Sequence, residues 1–134
     1  MYLQTKVLKD KKLKTNRVNG SVFDSILEAQ EAVNLQERQE RGDILDWEKQ
    51  VKLDFYIVIE DNKPILKCNP TDKERRYGYW LERYYIDFQA NMPDGTVELI
   101  EVKGQRQVQD WKRKWNMVQA VFGEDPNYVL ILKL

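Results

Sequence analysis

The chain has 134 residues, of which 42% are hydrophobic and 33% charged, and its 22 basic and 22 acidic side chains cancel to a formal net charge of zero. A chain of this length buries one core, and no apolar run approaches the roughly 20 residues of a membrane span, so we expect a single soluble domain. With no histidine and one cysteine, common zinc sites and imidazole catalysis are excluded, which leaves carboxylates, lysine and hard cations such as Mg²⁺.

The first 20 residues are predicted to form a basic arm, followed by one domain over residues 21–134. Neither this segment nor the rest of the chain has the apolar core of a signal peptide, so we expect a cytoplasmic protein. The arm is either a solvated surface or a surface that contacts phosphates. Its basic residues are Lys6, Lys9, Lys11, Lys12, Lys14 and Arg17.

A helix is predicted to begin after Ser25 and to end near Gly42. Ser25 with Glu28 three residues later fits a capping box, and glycine often follows the last residue of a helix. The apolar spacing places Ile26, Ala29 and Val33, with the stem of Gln36, on one face of this helix.

Short β-rich runs follow the helix. Phe55–Ile59 is predicted to be a buried strand, and residues 65–68 are predicted to pair back onto it after a turn. The polar segment 69–80 reads as an exposed loop because it contains Pro70 and Gly78. Two further strands are predicted, over Leu81–Gln89 and Val97–Lys103.

The C-terminal part is predicted to be a helix followed by a final strand, "YVLILKL". Apolar residues recur in the helix at spacings of three and four, which makes one buried stripe. The order of elements indicates an α/β or α+β fold with one mixed central sheet flanked by helices. The stripe consists of Val108, Trp111, Trp115, Val118 and Phe122.

The loop "MPDGT" predicts how the two central strands pair. Pro93, Asp94 and Gly95 suit a three-residue hairpin, a type I turn followed by a left-handed residue. Counting outward from this loop places Asp87 opposite Glu101, where two like charges repel and require a cation.

Lys103 shares the face of Glu101, because side chains alternate along a strand. The alternative is that Glu101 and Lys103 are ordinary charges of an edge strand and that Asp87 lies on a solvated face. A slip of one residue in the hairpin would also move Asp87 to the face opposite Glu101.

The segments "YYIDF" and "LIEVKG" together resemble the PD-(D/E)xK nuclease superfamily. Within it, the chain resembles a phage-borne family of small nuclease-like proteins related to Holliday-junction resolvases. The resemblance implies a restriction-endonuclease-like core in the order α-β-β-β-α-β, here with an extra strand pair. It also covers "VFDSILEAQ" and "RGDILDWEKQ", although Ile86 stands where the superfamily motif has proline.

The resemblance assigns a role to each residue of this motif. Asp87 and Glu101 match the metal-binding carboxylates, with the carbonyl of Val102 as a further ligand. Lys103 matches the catalytic lysine that orients or helps to deprotonate the attacking water. Glu28 matches a catalytic acid on the first helix, and its alternative role is the capping box.

DNA contacts are expected from two basic segments. In the last helix, the basic and polar residues lie away from the tryptophan stripe and suit phosphate contacts, or else form a solvated face. In the loop 69–80, basic residues including Arg75 and Arg76 are mixed with aromatic ones, which suits stacking on an unpaired base, and the alternative is a plain exposed loop. The residues expected on the helix are Arg106, Gln109, Lys112 and Arg113.

The resemblance implies a metal-dependent phosphodiesterase, a deoxyribonuclease that uses Mg²⁺, with Mn²⁺ as a substitute. We expect a structure-selective endonuclease acting on branched or junction DNA in phage recombination or DNA processing, in the cytoplasm of the host. A homodimer is implied, and no membrane or small-molecule cofactor is expected. The alternatives are a non-catalytic nucleic-acid-binding module of the same fold and a small interaction or assembly protein.

Overall fold

The structure is a computed structural model and describes residues 5–6, 17–18, 21–22, 25–103 and 109–133. Three helices and eight strands are assigned within these residues. In chain order they are β1 (Thr5–Lys6), β2 (Arg17–Val18), β3 (Ser21–Val22), α1 (Ile26–Glu40), β4 (Asp46–Glu60), β5 (Lys63–Cys68), α2 (Asp72–Tyr77), β6 (Tyr79–Asn91), β7 (Val97–Val102), α3 (Gln109–Phe122) and β8 (Tyr128–Lys133).

Six of these strands form one mixed sheet in the order β1-β8-β7-β6-β4-β5. Strands β1 and β7 both run parallel to β8, whereas the β7, β6, β4 and β5 neighbours pair antiparallel. The pairing of β1 with β8 ties part of the predicted basic arm into the sheet. The expectation of an α+β fold with a mixed central sheet is confirmed.

The sheet carries one apolar cluster under α1 and another under α3. Neighbouring residues of β7 alternate between them, since Ile100 contributes to the α1 cluster and Leu99 to the α3 cluster. Helices therefore cover both faces of the sheet. The α1 cluster is Ala29, Ala32, Leu35, Ile44, Phe88, Ala90, Ile100, Val102 and Ile131, and the α3 cluster is Leu53, Phe55, Tyr84, Ile86, Leu99, Trp115, Val118 and Leu130.

Helix α1 begins as predicted but buries a different face. Ser25 Oγ accepts a hydrogen bond from the Glu28 N–H, and Gly42 follows the helix in the left-handed region at φ +80°. Ile26, predicted to face the core, is 43% exposed. The prediction of the buried face was partly wrong: Ala29 is buried as predicted, but the buried face is rotated toward two carboxylates, Glu28 and Glu31.

The hairpin between β6 and β7 has the predicted register. The Met92 N–H donates to Thr96 O at 2.9 Å across the loop, in which Gly95 adopts the left-handed φ of +89°. Asn91 then pairs with Val97, and the pairing continues to Phe88 with Ile100. The recorded pairing ends there, and one further step of the same register would set Asp87 opposite Glu101.

The segment predicted to be an exposed loop contains the helix α2. Thr71 and Glu74 form a complete capping box at its start, which the prediction from proline and glycine overlooked. Gly78 lets the helix approach β4 closely, because a Cβ there would lie 2.9 Å from Ile57 O. Helix α2 is thereby held against the sheet.

The predicted apolar stripe of the last helix is confirmed where the structure describes it. Trp115 and Val118 are buried, and Trp111 and Phe122 are partly buried against the same cluster. Val108 lies outside the described residues. The described helices include none that is long and apolar enough to span a membrane.

Candidate metal and phosphate site

Asp87 lies in the middle of β6 and is 8% exposed. Its Oδ2 accepts a hydrogen bond from the Val102 N–H at 2.7 Å, across the hairpin. The same N–H is the neighbour of Glu101 along the chain and lowers the pKa of its carboxyl. The carboxyl groups of both acids therefore lie near one backbone amide.

Glu101 is a buried carboxylate with an incomplete set of partners. Its side chain is 1% exposed, and Oε2 has no hydrogen-bond partner within the part of the chain that the structure describes. Burial raises the pKa of Glu101 to about 7, although the charge of Lys103 acts to lower it. A buried acceptor of this kind is costly unless a cation or a proton occupies it.

Lys103 follows the last residue of β7 and points its ammonium toward Glu101. Its Nζ lies 4.0 Å from Glu101 Oε1 and 5.7 Å from the centre of the Trp111 ring on α3. The positive charge of Lys103 also lowers the pKa of Asp87. The ammonium group thus lies between the Glu101 carboxylate and the Trp111 ring.

Glu28 reaches the same place from the first turn of α1. Its carboxyl group lies within hydrogen-bonding reach of Asp87, and this contact acts to lower the pKa of Asp87. Burial raises the pKa of Asp87 more than its hydrogen bonds lower it. The N-cap bond of Ser25 uses only the backbone of Glu28, so the carboxyl group of Glu28 serves the site without loss of that cap.

Gln50 is a member of the site that the sequence analysis missed. Its Nε2 lies 3.3 Å from Glu28 Oε1 and 3.5 Å from Asp87 Oδ1, so one amide bridges the two acids. Lys49 pairs with Phe88 and Val51 with Ile86, which places Gln50 opposite Asp87. No sequence motif signals this glutamine, because its role depends on the register of β4 against β6.

The regular alternation of side chains between the two faces of the sheet is interrupted at Gln50 on β4 and Asp87 on β6. Gln50 has a left-handed φ of 53°, which is uncommon for a residue other than glycine. On β6, Ile86 packs in the α3 cluster, whereas Phe88, two residues later, packs in the α1 cluster. Because residues two apart normally share a face, the strand rotates here, and Asp87 occupies the point of rotation.

A buried ion pair borders the site under α1. Glu31 lies one turn after Glu28, and its carboxylate contacts the ammonium of Lys133 on β8. Lys133 pairs with Val102, and its carbonyl accepts the Lys103 N–H at 2.7 Å. The spacing of three between two glutamates on one helix was a signal that the prediction of an apolar face did not use.

The predicted DNA-contacting residues that the structure describes lie on two different helices. Arg113 on α3 is exposed and paired with Glu82 at 2.9 Å, and Lys112 beside it is exposed. Arg75 and Arg76 lie on α2, where Arg75 contacts the ring of Tyr56. Arg106 lies outside the described residues, as does the side chain of Gln109.

The donor set suits a hard cation. The structure brings together Glu28, Asp87, Glu101, Val102 and Lys103, and Glu101 Oε2 is a buried oxygen without a hydrogen-bond partner among the described residues. Within the described residues no three acidic, histidine or cysteine side chains enclose a metal position by themselves. Mg²⁺ does not need such a cage, since it is held in many enzymes by one or two carboxylates together with water and substrate phosphates.

The chain was compared with families and with known proteins. Neither the curated proteins nor the solved structures gave a match. The model of one family, DUF1064, described as a protein of unknown function, matches residues 8–129. The chain therefore belongs to the DUF1064 family.

Proposed function

We propose that the protein is a metal-dependent DNA endonuclease that hydrolyses phosphodiester bonds, with the restriction-endonuclease-like core of the PD-(D/E)xK superfamily. The observation that carries the proposal is that Asp87 accepts the Val102 N–H at 2.7 Å beside the buried Glu101, with Lys103 Nζ 4.0 Å from Glu101 Oε1. The buried, unpartnered oxygen of Glu101 supports a cation at this point.

Each residue has a part in this reaction. Asp87, Glu101 and the carbonyl of Val102 would hold Mg²⁺, with Mn²⁺ as a substitute, and the bound ion supplies Lewis-acid stabilisation of the phosphate charge. Lys103 orients the attacking water and stabilises negative charge on the phosphate oxygens. Glu28 and Gln50 fix the orientation of Asp87 through the hydrogen bonds that they form with it.

The biological setting follows from the resemblance to junction-resolving nucleases. We propose branched DNA as substrate, phage recombination or DNA processing as the role, the host cytoplasm as the location and a homodimer as the active form. Lys112, Arg113 and Arg76 are exposed and available to contact phosphates, and Arg106, Gln109 and Arg75 belong to the same proposed DNA-binding set. The reaction requires neither a membrane nor a small-molecule cofactor.

The test is a cleavage assay with single-stranded, duplex, flap and four-way-junction DNA in Mg²⁺, Mn²⁺ or chelator, beside the Asp87→Asn variant. We expect cutting that depends on the metal and is lost in the variant. DNA binding without cutting in any metal would contradict the proposal and identify a nucleic-acid-binding module instead. Neither binding nor cutting would indicate an interaction or assembly protein.

The Glu28→Gln variant separates the two roles of Glu28. The cap of α1 uses only the backbone N–H of Glu28, so we expect the free energy of unfolding to change by less than about 1 kcal/mol. The hydrogen-bonded pair with Asp87 is altered, and we expect the cleavage rate to fall by about tenfold or more.

The matched control is Ser25→Ala, which removes the cap without altering the carboxyl group. It should lower the stability by about 1 kcal/mol and leave the rate at saturating metal unchanged. Urea denaturation and initial rates measure the two effects. Equal loss of activity in both variants would show that Glu28 acts only through the helix.

A further inference from the structure

Next to the candidate site, one face of the paired strands β4 and β6 carries a row of polar and aromatic side chains. Going outward from Gln50 and Asp87, Lys52 pairs with Tyr85, and Asp54 pairs with Arg83. These pairs are two residues apart on both strands, so their side chains share a face. The intervening residues Leu53 and Tyr84 face the α3 cluster instead. The first side chains beyond the site are thus basic and aromatic.

A β-bulge adds an indole to this face. The register shifts between Phe55 and Tyr56, so that Tyr56 pairs with Trp80 and Leu81 is the extra residue on β6. The shift turns Trp80 to the side of Asp54, and its Nε1–H donates to Asp54 Oδ1 at 3.4 Å. Tyr79, one residue earlier, pairs with Ile57 and lies on the opposite face.

Asp54 holds two arginine side chains in position on this face. Its side chain is 1% exposed and accepts from Arg83 Nε at 2.8 Å, and Arg75 Nη1 lies 3.6 Å away. Arg83 holds the pKa of Asp54 below its usual range, so the acid stays ionised. Two guanidinium groups against one carboxylate leave one positive charge, and the exposed Lys52 adds a second.

The outer surfaces of these side chains are open to solvent. Tyr85 is 48% exposed and Trp80 is 54% exposed, although both are large aromatic residues. The Arg83 side chain between them is 48% exposed. We define Lys52, Tyr85, Arg83 and Trp80 as the β4–β6 track. A positively charged surface with interleaved aromatic rings is the composition that binds single-stranded nucleic acid, since bases stack on the rings while cations follow the phosphates.

We propose that the β4–β6 track binds an unpaired segment of the substrate DNA and guides it to Asp87. The inference rests on the proposed nuclease function for the role of Asp87, and it specifies the part of the substrate that is recognised. A strand rises about 3.3 Å per residue, so Tyr85 stands about 7 Å and Arg83 about 13 Å from Asp87 along β6. The track therefore receives the few nucleotides next to the scissile phosphate. A paired duplex offers no free base faces to Trp80 and Tyr85.

The experiment measures binding without cleavage. Fluorescence anisotropy of a labelled oligothymidylate, in chelator, gives the Kd of the full chain and of its variants. Tyr85→Ala and Trp80→Ala should each weaken binding about tenfold, whereas Tyr85→Phe should bind within about twofold of the unaltered protein. Lys52→Ala should lower the slope of log K against log salt by about one.

Tyr79→Ala is the matched control, because Tyr79 is also exposed and lies next to Trp80 but on the other face. It should leave the Kd unchanged. Unchanged affinity in both Tyr85→Ala and Trp80→Ala, equal loss in Tyr79→Ala, or tighter binding of a duplex than of the single strand would each overturn the inference. Single-strand binding with these variant effects but no metal-dependent cutting would support the track and contradict the nuclease. Metal-dependent cutting without such binding would support the nuclease and contradict the track.

Discussion

The Glu101→Gln variant should be more stable than the unaltered protein in chelator at about pH 8, by about 3 kcal/mol. Burial raises the pKa of Glu101 from its ordinary 4.5 to about 7 in the folded protein. Above pH 7 the folded state therefore carries a buried charge that the unfolded state exposes to water. The penalty is complete above the folded pKa, shrinks as the pH falls and disappears below the unfolded pKa. Glutamine has no such charge at any pH.

Urea denaturation across this pH range measures the effect, and the gain of the variant should vanish near pH 4.5. Added Mg²⁺ should stabilise the unaltered protein at about pH 8 and have little effect on the variant, since ligand binding to the folded state adds to stability. A variant that is less stable at pH 8, or a difference that does not depend on pH, would show that the Glu101 carboxylate already has a stabilising partner within the protein.

Glu98→Gln is the control on the same strand. Glu98 is also buried, at 8% exposure, but its two oxygens accept from Arg38 at 2.8 and 3.0 Å. Removing one partner of a buried ion pair leaves the other unpaired, so this variant should lose about 1–3 kcal/mol. Two glutamates three residues apart should thus respond to the same substitution with opposite signs.

The hairpin of the site was predictable because its information is local. The three residues "PDG" determine the loop, and the loop determines which residues face each other across β6 and β7. From that register alone, Asp87 meets Glu101, and alternation adds Lys103. The stripe of α3 was predictable for the same reason, since its spacing lies within one helix.

The missed features depend on pairing between distant segments. The role of Gln50 requires the register of β4 against β6, and Trp80 reaches the face of Asp54 only because a bulge shifts that register. The buried face of α1 was misjudged because an apolar pattern gives no weight to Glu28 and Glu31. Those acids are buried because they meet polar partners on the sheet, including Gln50 and Lys133.

These same departures from the simple pattern mark the candidate site. A carboxylate on the buried face of a helix, a glutamine with a left-handed φ and a strand that rotates at Asp87 each cost stability in isolation. All three meet at one point, where they position the oxygens of Glu28, Asp87 and Glu101. Their coincidence at one point supports the proposed cation and phosphate site, because departures from local rules are expected where function requires them.

Lys103→Ala should lower the rate of metal-dependent cleavage about a hundredfold or more, with little change in DNA affinity. The ammonium group is the one cation near Glu101 among the described ion pairs, and a single lost phosphate contact changes binding only slightly. The lysine also lowers the pKa of Glu101, so its removal should raise that pKa. The acid limb of the pH–rate profile should therefore move to higher pH, which a purely structural loss would not cause.

Single-turnover rates across the pH range measure both changes, and anisotropy in chelator measures the affinity. Lys63→Ala is the matched control, because Lys63 is an exposed lysine at the first position of β5. This variant should cleave DNA at the unaltered rate. Lys103→Arg keeps the charge but replaces a compact ammonium with a planar guanidinium, so it should restore the position of the pH profile more fully than the rate. If the Lys103→Ala variant cleaves at the unaltered rate, Lys103 has no part in the reaction. Asp87 and Glu101 would then form a metal site that lacks the proposed base or charge stabiliser.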